Sequence, residues 1–218
     1  MSCCQVEGIE NEFNPKVARK TLKRYRRRGP DRTTQLLLAA LEDALETSDL
    51  RDASILDVGA GVGAIHHALL DGRLTHAIHV DASAAHIAAA KEETARRGHT
   101  ERVEFVLGDF VAVAGQIEPA DVVTLDRVIC CYDDMPRLVD ASATRARRFY
   151  GAVYPRDVRW MRIAIRVMNL WFGVRRSAFR VFLHSPAAID ERLRAAGLQR
   201  RSTRHAAGWE IAVYERSA

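Results

Sequence analysis

Glycines stand at 59, 61 and 63 in "DVGAGVGA", Asp57 to Ala64, directly after the apolar run "SILDV". Glycine lacks a Cβ, so a turn built from it tolerates positive φ and lets backbone N–H groups approach a ligand closely. Between a strand and a helix, such a turn aims those N–H groups and the helix N-terminus at one point, which makes a cradle for a cofactor. Gly59, Gly61 and Ala64 also satisfy the GxGxx(G/A) spacing of dinucleotide sites, so spacing alone leaves a nicotinamide ligand open. Asp57 argues for another ligand. A carboxylate two residues before the first glycine repels a pyrophosphate and attracts an ammonium or sulfonium. Asp81, at the end of the next apolar run, stands where an acid receives two ribose hydroxyls, and both ligand classes want it there.

Further along, "LGDF" offers Asp109 and Phe110, a polar group and an aromatic face that could flank an adenine ring; a helix cap is the plainer reading of that Asp. "LDRVICCYDD", Leu125 to Asp134, sets Cys130 and Cys131 side by side, and Cys3 and Cys4 form a second adjacent pair. Neither pair has the CxxC spacing of a zinc knuckle, so no metal is expected. Adjacent cysteines strain a mutual disulfide, and reduced thiols packed as small apolar side chains are the simpler expectation. Soft-ligand chemistry toward a thiol or metalloid acceptor is the minor alternative. Tyr132, Asp133 and His184 are the candidate general bases, needed only if an acceptor must lose a proton. His66 and His67 read as structural.

These residues need elements to position them. Phe13 to Arg28 and Arg32 to Glu46 have helical spacing, broken at Gly29-Pro30. From Ser54, short β-branched runs alternate with Ala-rich helical stretches: "SILDV", helix 62 to 70, "HAIHV", helix 84 to 97, "RVEFVL", "ADVVTL", helix 135 to 147 and "FYGAVYP". That alternation means a parallel sheet of βαβ units. "SPAAIDERLRAAGL" is a last helix, and "QRRSTRHA" and "WEIAVYER" form a terminal antiparallel hairpin across Ala207-Gly208.

In order and spacing, "ILDVGAGVG", "HVDAS", "LGDF" and "DVVTLDRVICCY" resemble the cofactor motifs of the class I S-adenosylmethionine-dependent methyltransferases, small-molecule type, over roughly residues 50 to 216. The resemblance implies a Rossmann-like α/β fold: a seven-stranded sheet ordered 3-2-1-4-5-7-6, the last strand antiparallel, with helices on both faces. It implies S-adenosylmethionine as cofactor, leaving as S-adenosylhomocysteine. Asp57, Gly59, Gly61 and Gly63 would surround its methionine part, Asp81 the ribose, Asp109 and Phe110 the adenine, with Ala60, Ala82 and Asp126 as further cofactor contacts. The chain lacks the Asp/Asn-Pro-Pro-aromatic signature of amino-methylating relatives and has Asp126-Arg127-Val128-Ile129 in its place. Around "FRVFLH" it is also similar to magnesium-protoporphyrin methyltransferases, over a stretch too short to name a substrate.

The expected organisation is an N-terminal helical lid, 1 to 50, and a core, 51 to 218, carrying a helical cap insert at about 156 to 180. In that insert Trp160, Ala164, Val167, Met168, Trp171 and Val174 share one helical face, read as a cap over the cleft or a membrane-interface contact through 157 to 176. Tyr25, Arg127, Cys131 and Trp160 are the expected acceptor contacts. The chain has a net charge of +5, with nine Lys or Arg from Lys16 to Arg32 and ten Arg from Arg145 to Arg180. Such runs also suit a nucleic-acid binder or modifier, but no RNA-binding module is appended. With no signal peptide or bilayer-length apolar run, the expectation is a soluble cytoplasmic enzyme acting on a small molecule.

Overall fold

The computed structural model describes residues 3–217, with residues 3–7 as backbone alone, so the thiols of Cys3 and Cys4 lie outside the described residues. Three helices open the chain: α1 (Cys3–Glu12), α2 (Pro15–Arg28) and α3 (Arg32–Glu46). The helix predicted over 13 to 28 is α2, and α1 precedes it. Asn14 starts α2, because its side chain accepts from the Lys16 and Val17 N–H groups while Pro15 takes the first helical position.

There follow β1 (Ala53–Val58), α4 (Ala64–Leu70), β2 (Leu74–Asp81), α5 (Ala84–Arg97), β3 (Val103–Leu107), α6 (Phe110–Val113), β4 (Ala120–Asp126), α7 (Met135–Ala143) and β5 (Ala146–Pro155). The chain ends with α8 (Arg159–Val174), α9 (Pro186–Ala195), β6 (Leu198–Ala206) and β7 (Trp209–Arg216). One sheet takes all seven strands in the order β3-β2-β1-β4-β5-β7-β6, as the resemblance implies. β1 to β5 pair in parallel, and β7 runs antiparallel between β5 and β6. α7 stops at Ala143, short of the predicted 147, because Ala146 pairs with Ala120 and Phe149 with Val122. Strand pairing overrides the local helical spacing there.

Alternation along the strands fills two layers. Ile55, Val122, Phe149 and Val213 face α3 and α4, while Leu56, Val123, Tyr150 and Ala212 face α7 and α9. Leu37 and Leu41 of α3 are fully buried, each stabilising the fold by roughly 1.5–3 kcal/mol. A Cβ on Gly151 of β5 would meet Leu37 Cδ1 at 2.9 Å, so any side chain at 151 would push Leu37 aside. The packing therefore does not divide at residue 50 as expected: α3 covers the sheet, and only α1 and α2 form an attached layer. α2 packs through Ala18, Leu22 and Tyr25 onto Val62 and Ala89. Arg26 fixes it by pairing with Glu93 at 2.8 Å and Glu92 at 2.7 Å on α5.

Candidate active site

The turn from β1 to α4 is coiled through three glycines with positive φ, Gly59 at 61°, Gly61 at 58° and Gly63 at 79°. Two of them are confined by space as well. A Cβ at Gly59 would lie 2.5 Å from Val128 Cγ2, and one at Gly63 would lie 2.5 Å from His66 Cε1. At Gly61 the nearest such neighbour is His86 at 3.8 Å, so conformation alone demands glycine there. Gly59 N donates to Val80 O at 2.7 Å, and Gly61 N donates to Asp81 Oδ2 at 2.9 Å. Ser83 N donates to Asp81 Oδ1 at 2.8 Å. The Asp81 carboxylate thus ties the glycine turn to the end of β2, and each oxygen keeps a lone pair for another donor.

Asp57 lies beneath the turn and is almost wholly enclosed. It is 1% exposed; Thr124 Oγ1 donates to Oδ1 at 2.7 Å and His66 Nδ1 lies 3.0 Å from Oδ2. Its carboxylate braces the sheet under the glycine turn.

The glycine turn separates two compartments of one cleft. The wider, about 510 Å³, is lined by Gly59, Gly61, Asp81, Ala82, Asp109 and Phe110. Apolar side chains wall the same compartment: Ile9, Phe13, Val17, Met168, Phe179 and Val181, with Val128 and Cys131; this wall adjoins the end of β2, where Ser83 Oγ donates to Phe13 O at 2.8 Å. The narrower, about 120 Å³, lies between the turn and the N-terminal helices, against Ala60, Tyr25, Asp31, Thr34 and Asp57. Thr21, Asp126 and Arg127 border both.

At that border Thr34 Oγ1 donates to Asp126 Oδ2 at 2.5 Å, and Arg127 bonds Asp126 Oδ1 at 3.0 Å and Asp31 Oδ2 at 2.5 Å. Arg127 holds a left-handed backbone, φ 61°, at the end of β4. Burial would raise Asp31, but the Arg127 guanidinium and bonds from Thr33 and Thr34 outweigh it and hold its pKa at about 2. Burial wins at Asp126, whose pKa is raised although Arg127 opposes the shift. Burial likewise raises Asp81 against the bonds from Ser83 and Gly61.

Three expected site residues are held by neighbours in the fold. Tyr132 donates its hydroxyl to Asp109 at 3.0 and 3.1 Å, and burial together with the Asp109 charge pushes its pKa well above the ordinary tyrosine range. Its side chain also lines the wide compartment. His184 bonds the Tyr132 carbonyl through Nε2 at 2.8 Å, burial lowers its pKa, and it does not line the cleft. It braces the loop after β4. Trp160 is half-exposed and packs against the hairpin turn, where a Cβ on Gly208 would lie 2.5 Å from its Cη2. Tyr25 keeps a face on the narrow compartment while Arg97 donates to its hydroxyl at 3.1 Å. Cys130 is buried, Cys131 reaches the cleft, and their sulfurs are 3.9 Å apart.

Thr21, Asp31, Thr34, Phe13 and Phe179 border the cleft without having been singled out from the sequence. A signal existed for one of them: Thr34 is a polar residue on the same stripe as Leu37, Leu38 and Leu41.

The donor set agrees with S-adenosylmethionine. Two nearly buried carboxylates, Asp81 and Asp126, face a cleft whose floor is a positive-φ glycine turn. A ligand with hydroxyl donors and positive charge relieves the desolvation of both. When bound, it supplies an electrophilic methyl on a sulfonium.

Residues 49–168 match the family described as methyltransferase domain. The chain belongs to that family and is a class I S-adenosylmethionine-dependent methyltransferase. No curated protein matches it by sequence. Among solved structures it is similar to magnesium protoporphyrin IX methyltransferase from Synechocystis PCC 6803 with bound SAH, at 17% identity and a TM-score of 0.72, over 96% of this chain and 98% of that one. An O-methyltransferase family protein from Burkholderia thailandensis matches at 17% identity and TM-score 0.70, over 96% of this chain and 63% of that one. An O-methyltransferase family 2 protein from Planctomyces limnophilus in complex with apigenin matches at 17% identity and TM-score 0.60, over 87% and 63%. At these identities the likeness is one of fold.

Proposed function

We propose that the enzyme transfers the methyl group of S-adenosylmethionine to a small, largely apolar molecule that enters the wide compartment between α1, α8 and the loop after β4. One observation carries this reading: Ile9, Phe13, Met168, Phe179 and Val181 wall the same compartment that the glycine turn borders. Convergent apolar side chains with few polar groups are the usual lining of a small-molecule site.

The residues divide the work. Asp81 and Ala82 hold the ribose, Asp109 and Phe110 the adenine, and Gly59, Ala60, Gly61, Gly63 and Asp126 the methionine part, with Asp57 holding the turn from below. Arg127 and Cys131 border the acceptor, and Thr21 and Tyr25 close the cleft from α2. Methyl transfer from a sulfonium is an in-line displacement, so alignment and exclusion of water supply most of the acceleration. The apolar wall serves both.

A nucleic-acid acceptor fits less well. Arg26 is engaged by Glu92 and Glu93 and Arg24 faces Asp31 at 3.7 Å, so part of the basic run of α2 is neutralised within the fold. The test supplies radiolabelled donor and offers organic-extractable metabolites and total RNA separately. Label moving into the organic extract supports the reading, and label moving only into RNA or polar metabolites overturns it.

A further inference from the structure

α8 is apolar on two opposite faces, and the protein uses only one. Met161, Ile165 and Phe172 are buried, and Phe172 packs with Ile9 and Phe179. On the far side Trp160 (53%), Ile163 (61%), Val167 (61%), Leu170 (71%), Trp171 (54%) and Val174 (75%) are exposed at helical spacing. Trp160, Val167, Trp171 and Val174 belong to the face read from the sequence as a cap or a membrane contact; they point outward, while Met168 of that face lines the wide compartment. Scattered exposed apolar residues are ordinary, but a continuous stripe of six on one helix marks an interaction surface.

Charge identifies the occupant. Arg159, Arg162 and Arg166 run along one edge of the stripe, and Arg175 and Arg176 stand at its C-terminal end. Among the described residues only Arg162 of these is paired with a carboxylate, that of Asp157 at 2.6 Å, and Asp157 is the only acid from 156 to 180. The Arg175 guanidinium lies over the Trp171 ring, 4.5 Å from its centroid. A second copy packed across a two-fold axis would set this arginine row near its own image, which like charge opposes. An anionic surface with an apolar layer beneath satisfies both parts: acyl chains take the Leu170 and Val174 stripe, headgroup phosphates take the arginines, and the indoles of Trp160 and Trp171 sit at the boundary. No helix among the described residues is long and apolar enough to cross a membrane, so α8 would lie in the plane of the interface.

We infer that the outward face of α8 docks the enzyme on anionic bilayers. Docking follows from this face alone and does not depend on which molecule is methylated. It does set the mouth of the cleft at the lipid surface, because Met168 of the same helix lines the wide compartment.

The experiment is vesicle flotation of the full chain with phosphatidylcholine alone and with phosphatidylcholine containing phosphatidylglycerol, at low and high salt. Wild-type protein is expected to float with the anionic vesicles, less so in high salt, with blue-shifted tryptophan emission. Leu170→Glu/Val174→Glu abolishes flotation, and Arg159→Gln/Arg166→Gln reduces partitioning by roughly tenfold, both with unchanged circular dichroism and S-adenosylmethionine affinity. Failure of the wild type to float overturns the inference, as does undiminished flotation of Leu170→Glu/Val174→Glu. A concentration-dependent dimer in sedimentation, dissolved by Leu170→Glu/Val174→Glu and indifferent to vesicles, overturns it in favour of a second copy.

Discussion

His66 Nδ1 lies 3.0 Å from Asp57 Oδ2, so the carboxylate that opens the glycine motif is held from below by the first turn of the helix that the motif starts. Thr124 on β4 holds the other oxygen at 2.7 Å. This placement predicts that Asp57 acts on the ligand by fixing the turn. If so, removing a partner of Asp57 that lies outside the glycine loop must also cost affinity. Thr124→Val is expected to weaken S-adenosylmethionine binding about fivefold and Asp57→Asn about tenfold or more, read by calorimetry. Full affinity in Thr124→Val would mean that Asp57 works by direct contact.

Asp81 carries two tasks in one carboxylate, since it anchors Gly61 N and Ser83 N and faces the cleft. Asp81→Asn replaces one acceptor oxygen with a donor, so either the turn or the ligand loses its partner. The expected loss is about tenfold to a hundredfold in donor affinity, with a small change in melting temperature. Equal affinity in wild type and variant, measured calorimetrically, refutes the ribose role.

Tyr132 tests whether the chain supplies a base. Its hydroxyl is committed to Asp109, so Tyr132→Phe frees the adenine-side carboxylate and leaves the transfer step untouched. The KM for S-adenosylmethionine should rise severalfold while kcat stays within about twofold. A collapse of kcat with unchanged KM in steady-state assays would restore Tyr132 as a catalytic residue.

Much of this was legible before any coordinates. The strands from "SILDV" to "FYGAVYP", the glycine turn and Asp81 follow from local patterns, because a strand, a glycine turn and the acid ending the next strand occupy fixed places in a βαβ unit. What stayed hidden depends on docking between distant segments. That Thr34 reaches Asp126, or that Asp31 meets Arg127, follows from how α3 lies on β5, and no local spacing encodes it. The orientation of α8 stayed open for a related reason. Both of its faces are apolar, so periodicity gave two answers, and only the partners Ile9 and Phe179 choose between them.

The last prediction concerns acid. Burial, the leading cause in each case, lowers the pKa of His67 to about 2, puts His79 well below the ordinary histidine value, and lowers His86, His99 and His184. In the unfolded chain these imidazoles titrate near ~6.5. Below that pH the unfolded state binds protons that the native state refuses, so stability rises with pH and is lost as pH falls from about 7. A deeply depressed group such as His79 contributes up to about 1.4 kcal/mol per pH unit in that range. Asp81 and Asp126, with raised pKa values, work in the opposite direction, while Asp31 and Glu93, with lowered ones, add acid sensitivity only near ~4. The melting temperature should therefore already fall between pH 7 and pH 5, before the depressed carboxylates titrate. His79 isolates the cause, because both its ring nitrogens are buried without a hydrogen-bond partner and its ring packs 5.0 Å from that of Phe105. His79→Leu removes the unsatisfied polar atoms and the titrating group together. It is expected to raise the melting temperature at pH 7 and make its decline toward pH 5 shallower by about one proton. A wild-type melting temperature that is flat from pH 7 to 5 in scanning calorimetry would contradict the buried, neutral state of these histidines.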